Sequence, residues 1–98
     1  MDRERIIAIL REHRSTLEQR GVRHAALFGS VARGEDGPGS DINIMIDIGD
    51  RPDLDVYAYV GLQDYIATLL EGPVDVVSRQ GLRENVRPNV LADAVYSF

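Results

Sequence analysis

Apolar residues follow two rhythms along the chain, and the switches between them outline its elements. From Asp2 to Arg20, Ile6, Leu10, His13 and Leu17 recur at three- and four-residue steps with no Gly or Pro until Gly21, which predicts a helix. Asp2 and Glu4 at its start and Arg14 and Arg20 toward its end suit the helix dipole, and Gly21 reads as the cap past the last turn. Val22–Phe28 (VRHAALF) is short, apolar and bounded by glycines, so it predicts a buried strand. Asp41–Ile48 (DINIMIDI) alternates strictly. Ile42, Ile44, Ile46 and Ile48 take one face, and Asp41, Asn43, Met45 and Asp47 take the other. The expectation is a strand with an aliphatic face on the core and an open polar face, with Asp47 solvated.

The helical period returns over Leu54–Leu70, after a turn in which Asp53 is the expected cap. Val56, Tyr59, Val60, Ile66, Leu69 and Leu70 are the candidates for burial there, and Tyr57, Tyr59 and Tyr65 read as packing residues. Gly72-Pro73 ends this helix, and Val74–Val77 predicts a third strand. Leu82–Phe98 is again helical by period, interrupted at Pro88, which predicts a short turn and then a helix from near Pro88 onward. Its apolar end, Val95 and Phe98, could serve an interface between copies. The order helix, strand, short helical turns, strand, helix, strand, helix indicates an α/β fold, a sheet with helices on one face, in one domain over 1–98.

Composition narrows the chemistry. With no Cys, thiolate metal sites, disulfides and cysteine nucleophiles are excluded, and two His cannot build a histidine cage. All eleven basic residues are Arg, so Schiff-base lysines and a P-loop lysine are excluded as well. Sixteen acidic residues give a formal charge of −5, which disfavours direct nucleic-acid binding. No apolar run is long enough for a membrane span, and the charged N-terminus does not suit a signal peptide. A soluble, cytoplasmic domain is expected, with chemistry drawn from carboxylates, hydroxyls, Arg and backbone.

Four of the nine glycines lie between Gly29 and Gly39, directly after the first strand. Gly29-Ser30 closes that strand and opens a helical turn, a geometry that offers free N–H groups and a hydroxyl to phosphate. Arg33 could add charge-assisted contacts. Asp41 and Asn43, two apart on one strand, project from the same face about 6–7 Å apart. Asp75 is flanked by apolar residues in Pro-Val-Asp-Val-Val, where a charge needs a partner, a metal or a cleft. If the second and third strands are neighbours, Asp41, Asn43 and Asp75 surround one point and suit Mg²⁺. An anion cradle facing carboxylates describes metal-assisted phosphoryl or nucleotidyl transfer.

LFGSVARGEDGPGSDINIMIDI resembles the signature of the DNA polymerase β-type nucleotidyltransferases: Gly-Ser, ten residues, then Asp-x-Asp in a strand, with a third Asp in a later strand. Asp75 in GPVDVV matches that third position. The short length and the ending VRPNVLADAVYSF are similar to the minimal nucleotidyltransferase (MNT) family. The resemblance implies a palm-like fold with a small mixed sheet. It implies that Gly29 and Ser30, with Arg33 and Ser40, hold ATP, that Asp41 and position 43 ligate Mg²⁺, and that Asp75 helps activate the attacking hydroxyl. It further implies an antitoxin role beside a HEPN ribonuclease toxin, exercised by transfer of AMP to a toxin tyrosine or by complex formation. One position departs: Asn43 stands where the family carries its second Asp. An amide lacks the charge and bridging ability of a carboxylate, so weaker metal binding and slowed or absent catalysis are expected. An active transferase and a stoichiometric binding module are therefore both open readings.

Overall fold

The computed structural model describes residues 1–35, 37, 39–49 and 54–98. The first helical stretch is divided into α1 (Arg3–Glu12) and α2 (Arg14–Gln19), with His13 between them. Asp2 caps α1 by accepting the Arg5 N–H at 2.8 Å. Beyond α2, Gly21 takes φ +101°, its N–H donates to the Glu18 carbonyl, and the Val22 N–H donates to that of Leu17. These paired bonds close the helix and turn the chain into β1 (His24–Phe28).

The alternating segment forms β2 (Ile42–Asp47), followed by α3 (Val56–Leu69) and β3 (Val74–Ser78). The α3 cap is Asp55, whose carboxylate accepts the Ala58 N–H at 2.7 Å; the expected cap, Asp53, lies outside the described residues. After a 3₁₀ turn at Arg79–Gly81, α4 spans Arg87–Asp93 with Pro88 in its first turn, as expected. The helix does not reach the end of the chain. Val95–Tyr96 form β4, which pairs with β1 in place of the predicted last helical turn.

The sheet order is β3-β2-β1-β4, with β2 and β3 parallel and the other pairs antiparallel. It is therefore a mixed sheet. Ala25, Leu27, Ile42, Ile44, Ile46 and Val76 form one face, covered by Ile6 and Leu10 of α1, Leu17 of α2, and Leu62 and Ile66 of α3. Each fully buried aliphatic side chain there contributes roughly 1.5–3 kcal/mol. Short α4 lies against the other face, where Val90 meets Ala26 and Met45. The non-isoleucine face of β2 is consequently only part open.

Two burial expectations change. Val56 is 74% and Val60 46% exposed, because α3 turns Leu62 and Ile66 to the sheet instead. Tyr59 and Tyr65 pack on the core, whereas Tyr57 is 88% exposed. Among the described residues, no helix is long and apolar enough to cross a membrane.

Candidate active site

Strand register brings the sequence-derived residues to one end of the sheet. Phe28 of β1 pairs with Asn43 of β2, and Asn43 pairs in turn with Asp75 of β3. Asn43 and Asp75 therefore stand side by side on one face, at the strand spacing of about 4.8 Å. The Ile42 N–H donates to the Pro73 carbonyl at 2.9 Å, which extends the parallel pairing to the level of Asp41. Asp41 and Asp75 are exposed and Asn43 is half-buried.

Gly29 joins this row from the β1 side. Its φ is +80°, and a Cβ there would sit 2.6 Å from the Asn43 amide nitrogen. The backbone conformation thus favours glycine, and a side chain there would also have to displace the Asn43 amide. The following residues form hydrogen-bonded turns: Arg33 N–H to Gly29 O at 3.1 Å, Gly34 N–H to Val31 O at 3.1 Å, and Glu35 N–H to Ser30 O at 2.8 Å. Among the described residues, the N–H groups of Ser30, Val31 and Ala32 have no protein acceptor. A short run of undonated amides beside a positive-φ glycine suits phosphate oxygens.

The remaining two sequence candidates are occupied locally. Arg33 donates to Glu35 at 2.9 Å and to Asp93 of α4 at 2.5 Å. The hydrogen bond donated to Glu35's carboxylate, then that donated to Asp93, holds the guanidinium more firmly protonated than usual. The Ser40 hydroxyl accepts the Gly37 N–H at 2.9 Å and braces the loop. Sequence reasoning missed Arg3, which donates to the Ala32 carbonyl at 2.7 Å and ties the turn to α1. Arg3 lies 29 residues away, and no local pattern marks it.

Two carboxylates and an amide are hard oxygen donors of the kind Mg²⁺ takes, with phosphate oxygens and water completing its shell. Among the described residues there is no cluster of three or more His, Cys, Asp or Glu that could hold a metal ion. The set is one carboxylate short of a site for two divalent ions.

At the other end of β2, Asp47 is buried rather than solvated. Its Oδ1 accepts from Gln80 Nε2 at 2.7 Å and from the Gly49 N–H at 2.9 Å. Burial pushes the carboxyl up, but those two hydrogen bonds and the charges of Arg23 and Arg79 outweigh it and hold it below its usual range.

Residues 8–97 match the nucleotidyltransferase domain family. Protein adenylyltransferase MntA of Thermococcus cleftensis is 36% identical over 94 residues, covering 95% of this chain and 93% of its own. A solved structure described as a minimal nucleotidyltransferase is 31% identical with a TM-score of 0.73, covering 97% of this chain and 95% of its own. A toxin–antitoxin structure with AMP-PNP is 25% identical with a TM-score of 0.69, covering 97% of this chain and 71% of its own.

Proposed function

Because the chain belongs to the nucleotidyltransferase domain family, we propose that it is an MNT-type antitoxin that transfers AMP from ATP to a tyrosine hydroxyl of a HEPN-type toxin. The observation that supports this reading is the seating of Gly29, which the undonated Ser30–Ala32 amides follow directly, against Asn43, itself paired with Asp75. The names of the relatives, an adenylyltransferase and a toxin–antitoxin structure with AMP-PNP, support it.

In this reading the Ser30–Ala32 amides and the Ser30 hydroxyl hold the triphosphate oxygens. Arg33 exchanges Glu35 for phosphate, a low-cost exchange because that ion pair is solvent-exposed on both sides. Asp41, Asn43 and Asp75 hold Mg²⁺, which when bound neutralises triphosphate charge. Asp75, exposed at the sheet edge, accepts the proton of the attacking hydroxyl as its oxygen bonds to the α-phosphorus and pyrophosphate departs.

Asn43 supports a second reading, a binding module that neutralises the toxin by contact. Incubation of the protein and its Asn43→Asp variant with α-labelled ATP, Mg²⁺ and the HEPN partner separates the two. Label on the partner with the unmodified protein establishes the transferase. Label with the variant alone, together with a stable unlabelled complex for the unmodified protein, establishes the binder. No label and no complex with either protein refutes both.

A further inference from the structure

The end of the sheet opposite Gly29 carries another depression, of about 570 Å³, lined by Arg23, His24, Asp47, Arg79, Tyr96 and Phe98. That volume falls within the range of small-ligand sites. Asp47 is the sole carboxylate side chain in this lining, and its Oδ1 is taken by Gln80 and the Gly49 N–H. Arg79 approaches Asp47 Oδ2 only to 3.8 Å, outside hydrogen-bond range. Arg23 lies along the Gly49 backbone and acts on Asp47 through charge.

Among the described residues, neither guanidinium donates a side-chain hydrogen bond. The two arginines thus keep N–H donors available to an added anion, with Asp47 and the terminal Phe98, whose oxygen meets the His24 ring nitrogen, as the counter-charges of the lining. Arg79 also lines an adjoining depression with Gln80 and Arg87, and the Arg87 Nε is buried without an acceptor among the described residues. The opposite wall is aromatic: Tyr96 is 47% exposed and meets the His24 ring edge-on at 6.2 Å.

We propose that this depression is a second ligand site, for a nucleoside monophosphate. Its phosphate lies between the Arg23 and Arg79 forks and its base lies against Tyr96. Guanidinium forks match phosphate oxygens bidentately, and an aromatic face accepts any base. The site uses none of Gly29, Ser30, Asp41, Asn43 or Asp75, so it stands independently of the AMP-transfer reading.

The test is an NMR titration of the protein without Mg²⁺, using AMP, adenosine and inorganic phosphate as probes. The signals followed are the Tyr96 and His24 rings and the Gly49 amide, with the Gly29 amide reporting the other site. AMP is expected to shift the first set saturably, and adenosine and phosphate to bind at least about tenfold more weakly. Arg79→Ala is expected to weaken AMP about tenfold or more, and Ser30→Ala to leave the Tyr96 response unchanged. Shifts confined to Gly29, adenosine or phosphate binding as tightly as AMP, or an unchanged affinity in Arg79→Ala would each overturn the proposal. Should Arg79→Ala unfold, Tyr96→Ala, whose side chain is half exposed, decides: lost AMP binding supports the site and retained binding refutes it.

Discussion

Replacing Asn43 by Asp tests the electrostatics of the candidate site without requiring turnover. The register sets position 43 beside Asp75, with Asp41 two residues earlier in the chain, so the variant places a carboxylate directly next to that of Asp75. Two unit charges about 5 Å apart repel by ~0.8 kcal/mol in bulk water and by ~3 kcal/mol at the effective dielectric of a protein surface. Asp75 and Asp41 are exposed and Asn43 is half-buried, which favours the lower part of that range. A net destabilisation of about 1–2 kcal/mol is expected in EDTA, or roughly 5–15 °C in Tm for a domain of this size. Mg²⁺ at about one hundred times its Kd returns ~2.7 kcal/mol by mass action. The unmodified protein, with its neutral amide, gains less at the same concentration. Scanning calorimetry of both proteins in EDTA and in Mg²⁺ measures all four values. Equal Tm values in EDTA, with no larger Mg²⁺ gain in the variant, would show that these side chains do not converge and would refute the argument.

Two further perturbations follow from the same geometry. Gly29→Ala places a residue at φ +80° with its Cβ 2.6 Å from the Asn43 amide nitrogen. It should cost about 2–3 kcal/mol in urea unfolding and abolish ATP-analogue binding measured by calorimetry; near-native stability with intact binding would contradict the close seating. Asp47→Asn removes a carboxylate whose folded-state pKa is lowered, so its stabilisation is present above the unfolded value and lost as pH falls through the folded one. The variant should be about 1 kcal/mol less stable at neutral pH. That gap should close as pH falls below the ordinary carboxylate value of 3.8, followed by urea midpoints against pH.

The strands were readable wherever one residue pattern had only one physical solution. Four isoleucines at every second position in Ile42–Ile48 can be buried together only as a strand, which also places Asp41 and Asn43 on one side. The parallel pairing that adds Asp75 was legible only as a condition, because register depends on β2 and β3 meeting across α3. β4 was not legible. Val95 suits a helix period as well as a two-residue strand, and the choice is made by β1, some 70 residues earlier in the sequence. Asp47 illustrates the same limit: the carboxylate is buried because Gln80, 33 residues later, reaches its oxygen. The α1–α2 division has no Gly or Pro to announce it; the His13 ring nitrogen and backbone N–H both turn to the Ile9 carbonyl.

The pairing of β4 with β1 has a consequence for synthesis on the ribosome. The Ser97 hydroxyl donates to the Ile7 carbonyl across 90 residues, and the Ser97 N–H donates to Ala25 O at 2.8 Å. Arg11 in turn donates to the Ser97 carbonyl at 3.1 Å. While the ribosome still holds residues 95–97, β1 presents an unpaired edge, the kind of surface that recruits other strands. A chain that stops short of β4 therefore exposes a β1 edge that Val95 and Tyr96 otherwise cover.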